Sequence, residues 1–216
     1  MPSALYVRNF EKDLYYHIAN FGALGSEIFR DPQDYQTFTF ILSYYLRIPH
    51  GKPLSYLQTV KAPYTRGKTK LLADNVDKPV ALLAYALHPT HFHLVLQEKS
   101  TTDKSGISNL MKHLSVTYAM YVNEKYGRSG SLYRGKYKAL PIPSPEHLLV
   151  LSHYLHRHQG VDNAQSSYPD YLKTSRSWIN PDPVLAEARK HNTLSYKTYV
   201  DDNPSNTTFL GNLTLE

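Results

Sequence analysis

Tyr85-Ala-Leu-His-Pro-Thr-His-Phe-His-Leu-Val-Leu-Gln97 is the stretch from which the fold can be read. An apolar run from Val80 to Leu87 reaches His88-Pro89-Thr90, turns, and leaves as a second run from His91 to Gln97. The first run, bounded by Pro79 and Pro89, predicts a buried strand. The second alternates, and successive side chains of a strand point to opposite faces. Phe92, Leu94 and Leu96 therefore share one face, and His91 and His93 share the other. Two imidazoles two residues apart on a strand can converge on one divalent cation. Such a pair also occurs as ordinary surface or core histidine, so the flanking segments have to decide.

Upstream, Leu14-Tyr-Tyr-His-Ile-Ala-Asn20 predicts a first strand that stops at Phe21-Gly22. Asp31-Pro32 opens a helix with proline near its first position. Tyr35, Phe38, Ile41, Leu42 and Tyr45 give that helix its apolar face, and Pro49, Gly51 and Pro53 end it. Residues 50–79 form a polar, basic connection around Lys61-Ala-Pro-Tyr-Thr-Arg-Gly-Lys-Thr-Lys70, long enough to suggest either a working loop or a solvated insertion.

Downstream, a helix is predicted from Gly106 to Tyr126, with Ile107, Leu110, Met111, Leu114, Tyr118, Tyr121 and Val122 as a core-packing stripe. Gly127-Arg-Ser-Gly-Ser-Leu-Tyr-Arg-Gly-Lys-Tyr-Lys-Ala-Leu140 breaks it and leads into a strand. Arg128, Arg134, Lys136 and Lys138 in this segment suit phosphates, and Tyr133 and Tyr137 suit stacking on bases. Ser144 and Pro145 then open a last core helix, Glu146 to Gln159, ended by Gly160 and facing the core with Leu148, Leu151 and Leu155.

The order strand, helix, hairpin, helix, strand, helix predicts an α+β fold, an antiparallel sheet covered by helices. After Gly160 the chain turns polar. A short helix is expected at Pro183–Lys190, and a loose tail from Asp201 to Glu216.

The 216 residues are 41% hydrophobic, enough to bury a core, so global disorder is excluded. The absence of cysteine excludes disulfides and thiolate metal sites and agrees with a reducing cytoplasm, where the chain is expected. No apolar run reaches the ~18 residues of a membrane span, and the first residues lack the apolar core of a secretory signal. No membrane partner is expected, and Asn206-Thr-Thr208 reads as a chance glycosylation match. A net charge of +6 with 19 tyrosines and 11 histidines suits a polyanion whose bases can stack, such as single-stranded nucleic acid, and equally a basic protein with a tyrosine-rich core.

Tyr154 and His158 are four apart on the last predicted helix and share a face. If that face meets His91 and His93, three imidazoles surround one cation with a phenol one turn away. A cation can polarise a phosphoryl oxygen, and tyrosine can form a covalent intermediate. Such a set suits transesterification of a phosphodiester, with tyrosine taking the 5′ phosphate and releasing a 3′ hydroxyl. The bond energy is kept in the phosphotyrosine, so rejoining needs no nucleotide cofactor. His153 and His156 point away from this face. His147 shares it two turns back and replaces His158 only in a shifted register.

Pro89-Thr-His-Phe-His-Leu-Val-Leu96 resembles the Pro-Asn-His-x-His-Leu motif of the single-tyrosine HUH transposases, the insertion-sequence-200-like group, and in particular its REP-associated tyrosine transposase branch. Tyr16-His-Ile-Ala-Asn-Phe-Gly22 is similar to that family's opening strand, and Ile28-Phe-Arg-Asp-Pro-Gln-Asp-Tyr35 to the start of its first helix. Gly127 to Lys138 resembles its Gly-Arg-x-Gly-x-Leu segment, and Tyr154-Leu-His-Arg-His158 stands in the place of its tyrosine helix. The resemblance spans roughly residues 14–160, with a weaker echo at Ser166-Ser-Tyr-Pro-Asp-Tyr171.

The resemblance implies a ferredoxin-like fold over residues 1–160, with residues 161–216 as a C-terminal extension. It implies a Mg²⁺- or Mn²⁺-dependent nuclease and strand transferase on single-stranded DNA with hairpin ends. Tyr154 is then the nucleophile, and His91 and His93 bind metal. Family members are dimers or monomers, so a homodimer is one allowed assembly. Two positions depart from the family pattern. His158, followed by Gln159, stands where the family has Asn or Gln as third ligand, and Thr90 replaces the Asn before the first histidine. The other readings of these residues are a catalytically silent or domesticated hairpin-binding protein and a structural metal-binding domain.

Overall fold

The computed structural model describes residues 6–47, 78–100, 105–157, 162, 165–173, 176–190, 195–202 and 207–215. Most of the basic connection expected at 50–79, together with His158, Gln159 and Gly160, lies outside them.

Four strands form one antiparallel sheet: β1 (Tyr15–Phe21), β2 (Val80–His88), β3 (His91–Glu98) and β4 (Lys138–Pro141). Their spatial order is β2-β3-β1-β4. Two helices connect them, α1 (Pro32–Arg47) between β1 and β2, and α2 (Gly106–Lys125) between β3 and β4. The β-α-β-β-α-β order with β1 and β3 central is the α+β sheet that the element order predicts, in the ferredoxin-like arrangement that the resemblance implies.

The sheet is buried on both faces, which is why β2 is an almost unbroken apolar run. Ile18, Leu82, Tyr85, Leu87, Phe92, Leu94 and Leu96 pack against Phe38, Ile41, Leu42 and Tyr45 of α1 and the Ile107–Val122 stripe of α2. A register shift between Leu82 and Ala84 turns Leu83 and Ala84 to the opposite face. There they join Ala19, Ala86 and Val95 beneath α3 (Pro145–His156).

Local chemistry fixes the ends of these helices. The Asp31 carboxylate accepts from Asp34 N at 3.1 Å ahead of Pro32, which caps α1. At α2 the buried Glu98 carboxylate accepts from Gly106 N (3.0 Å), Ile107 N (3.1 Å), Ser105 Oγ (2.6 Å) and Ser100 N (3.0 Å). A carboxylate at a helix N-terminus satisfies donors that have no partner within the helix. Glu98→Ala is expected to destabilise the protein by about 3 kcal/mol, because those donors stay buried without it; a denaturation midpoint unchanged from wild type would refute this. Gly127, at φ +59, ends α2, with Arg128 N donating back to Asn123 O at 2.8 Å.

Two boundaries depart from the sequence reading. α3 stops at His156, with Arg157 as its cap, rather than running to Gln159. The described part of the supposed loose tail is folded. After α4 (Tyr168–Leu172), α5 (Asp182–Lys190) and α6 (Tyr196–Asp202), residues Thr207–Leu210 form α7 and Gly211–Thr214 a 3-10 turn. Leu210, Leu213 and Leu215 are buried in the α3 cluster, so these leucines anchor a segment whose polar composition hid them.

The extension also runs along the outer side of β2. Tyr85 N donates to Ser167 Oγ (2.9 Å), Ser167 N to Tyr85 O (3.0 Å), Tyr171 Oη to Leu83 O (3.0 Å) and Asn180 N to Leu82 O (2.8 Å). Asp170 and Arg176 form a bidentate ion pair, and Arg176 lies over the rings of Tyr85 and Trp178.

Candidate active site

The register of the sheet assembles a histidine face. Directly paired residues share a face, so His88, His91 and Phe21 form one row, and Ala86, His93, Ala19 and Lys138 form the next. A third row contains Ala84, Val95, His17 and Leu140. The alanines flanking His93 keep this part of the sheet low. The turn before His91 is held from the β1–α1 segment: Thr90 O accepts from Gly22 N (2.8 Å), and Pro89 O from Ile28 N (2.7 Å) and Phe29 N (3.0 Å). Gly22 is required here, since a Cβ would lie 1.9 Å from Ser26 O.

His91 and His93 are both buried, with ring centroids 4.9 Å apart and planes at 89°. Phe21 stacks on His91 at 5.0 Å, and His88 stacks on it at 4.4 Å. The Thr90 hydroxyl lies between the Nδ1 atoms of His88 (3.1 Å) and His91 (3.0 Å). His17, which the sequence reading passed over, is 0% exposed. Its Nε2 lies 2.9 Å from His93 Nδ1, and its Nδ1 lies 2.5 Å from Leu213 O. The signal was present in the sequence: His17 alternates with Ala19 and Phe21 on a strand that has to pair with β3.

Two imidazoles on one face are a fitting partial donor set for a divalent cation. Among the described residues no three His, Asp or Glu side chains form a metal-holding group. His158, the expected third ligand, lies outside the described residues.

Tyr154 lies on α3, and α3 covers the histidine-bearing face. It is 8% exposed and belongs to the apolar cluster that contains Ala19, Ala86 and Val95. The other histidines of α3 are engaged in packing the extension. His156 Nδ1 meets Tyr196 Oη at 2.8 Å and its Nε2 meets Ser167 Oγ at 2.8 Å. Burial, with a smaller contribution from His153, pushes His156 down to about 3, so it is neutral. His153 Nε2 contacts Val200 O at 3.1 Å. His147 binds the Ser144 hydroxyl and stacks on Phe209 at 4.3 Å, so it faces α7.

The basic segment divides. Arg134 and Lys136 are exposed and Arg128 is half-buried, and Arg134 N donates to Phe21 O at 2.9 Å, which ties the loop to the histidine face. Lys138 is already engaged: its Nζ donates to Leu215 O at 3.0 Å and lies 4.6 Å over the Phe21 ring. Tyr133, expected to stack on bases, is 7% exposed and packs edge-on against Phe92 at 6.1 Å. Its ring belongs to the core, so it offers no open face. Composition could not show this, because the loop around it is polar. Tyr137 is half-buried, with the Arg8 guanidinium 4.8 Å over its ring.

No helix among the described residues is long and apolar enough to cross a membrane. No family profile and no curated protein matches the chain. Among solved structures it is similar to a REP-associated tyrosine transposase bound to a REP hairpin, with a TM-score of 0.51 and 12% identity, over 82% of this chain and 88% of that one. It is also similar to a proposed transposase from Deinococcus radiodurans R1, with a TM-score of 0.38 and 14% identity, over 70% of this chain and 96% of that one. The first likeness is one of fold.

Proposed function

We propose that this chain is a single-strand DNA transposase of the REP-associated tyrosine type, acting on DNA with hairpin ends. One observation carries the reading: His91 and His93 share a sheet face that lies under the helix bearing Tyr154, within a ferredoxin-like fold. In the proposed reaction the Tyr154 oxygen attacks a phosphorus of the strand. A tyrosine-to-5′-phosphate bond forms, the bond from phosphorus to the 3′ oxygen breaks, and the phenolic proton reaches the departing 3′ oxygen through solvent or a nearby base, giving the 3′ hydroxyl. Attack by another 3′ hydroxyl reverses the step and rejoins the strand. His91 and His93, with His158 as third ligand, would hold a Mg²⁺ or Mn²⁺ ion, which supplies charge stabilisation at the phosphoryl oxygens. Arg128, Arg134 and Lys136 would neutralise backbone phosphates next to the site.

A second reading is a hairpin-binding protein that does not cut. The burial of Tyr154 favours it. Incubation with end-labelled single-stranded hairpin DNA and Mn²⁺ separates the two. Cleavage with a protein–DNA adduct that survives denaturation is the expected result. Salt-sensitive hairpin binding without an adduct would leave the silent reading, and no binding at low salt would end both.

A further inference from the structure

We infer that His17 is a positioning residue that fixes the tautomer of His93 and is itself oriented by the backbone carbonyl of Leu213. The inference rests on the reading of His93 as a metal ligand only for its purpose; the hydrogen-bond chain stands without it.

The assignment follows from what each atom can do. A carbonyl oxygen only accepts, so His17 Nδ1, 2.5 Å from Leu213 O, is the donor. A ring with one N–H then presents Nε2 as an acceptor. His93 Nδ1 lies 2.9 Å from that acceptor and therefore donates. The remaining nitrogen of His93, the buried Nε2, carries the lone pair, which is the form a cation requires. The arrangement at His91 runs the same way. Thr90 N donates to His88 Nδ1 at 3.4 Å, which marks that nitrogen as an acceptor. The Thr90 hydroxyl then points its proton at His88 and accepts from His91 Nδ1, so Nε2 of His91 carries the lone pair as well. Both rings of the pair are thus set by a neighbour on the Nδ1 side, the kind of outer support that orients metal-binding histidines. For His93 that support comes from β1 and, through Leu213, from the far end of the chain. The threonine in front of His91 accordingly has an orienting part of its own.

The test uses the full chain, metal-free and labelled with ¹⁵N-histidine. Long-range ¹H–¹⁵N correlation spectra are expected to show His17 and His93 protonated at Nδ1 and not at Nε2. In His17→Leu, His93 should gain a substantial Nε2–H population, and Mn²⁺ affinity should fall about 10–100-fold. In His17→Gln the side-chain oxygen can accept from His93 Nδ1, so the Nδ1–H signature should persist and Mn²⁺ affinity should stay close to wild type. Circular dichroism and the melting temperature report whether each variant is folded. Nε2–H on His93 in the wild-type protein would overturn the inference without any variant, as would two protons on His17. An unchanged His93 tautomer in a folded His17→Leu variant would also overturn it. Absence of Mn²⁺ binding with the Nδ1–H pattern intact would support the relay and count against the metal-dependent function instead.

Discussion

Tyr154→Phe is expected to abolish the covalent protein–DNA band and lower single-strand cleavage on the order of 10³-fold or more, while hairpin affinity stays within about twofold. The asymmetry follows from the position of the side chain. At 8% exposure, nearly all of the ring is packing against the cluster beneath α3, and phenylalanine fills that space equally well. Only the oxygen is lost, and it is the one atom the proposed reaction needs. With 19 tyrosines in the chain, an adduct in the wild-type protein has to be mapped by peptide analysis before the variant is read. Persistence of the adduct in Tyr154→Phe would assign the nucleophile elsewhere. His91→Ala and His93→Ala serve as companions, expected to lose cleavage and keep hairpin binding.

Asp34→Ala is expected to destabilise the protein by about 3–5 kcal/mol, the range for breaking a buried ion pair from one side. Asp34 is 0% exposed and accepts from Lys125 Nζ (2.8 Å), Tyr121 Oη (2.9 Å), Tyr126 Oη (2.8 Å) and Arg30 N (2.8 Å). It ties the start of α1 to the end of α2. Burial works against its charge, but the bonds from Lys125, Arg30, Tyr126 and Tyr121 outweigh that and hold its pKa below the ordinary carboxylate value. A group whose folded pKa is depressed contributes stability above its unfolded pKa and loses it as pH falls through the folded value. The gap in melting temperature between wild type and Asp34→Ala should therefore be about 10 °C near pH 7 and narrow as pH drops below about 4. A gap that stays constant down to pH 2 would refute the charge-based account.

The sheet was legible from the sequence because its signals are local. Period-two alternation placed His91 and His93 on one face, and the order of elements gave the antiparallel topology. The capped helix starts were legible for the same reason, at Asp31-Pro32 and Ser144-Pro145. What the sequence did not show depends on contacts between distant segments. His17 acquires its partners only through the β1–β3 register and a carbonyl almost two hundred residues away. Tyr133 sits in a polar loop and still packs into the core, edge-on against Phe92 of a distant strand. Leu210, Leu213 and Leu215 are too sparse to give a periodic signal, yet three leucines suffice to seat a short segment on a pre-formed surface. The bonds of His153 and His156 to the extension were likewise hidden, because the position of the extension cannot be read from α3 itself.

The lining of β2 by residues 166–173 and 176–180 bears on how copies of this protein can meet. The outward-facing backbone groups of that strand are occupied by Ser167, Tyr171 and Asn180, and the opposite border, β4, is four residues long with Val7 already bonded to Ala139. Among the described residues, each border of the sheet is thus partly covered from within the chain. Such cover works against the edge-to-edge pairing that an open strand invites, and so against edgewise polymerisation.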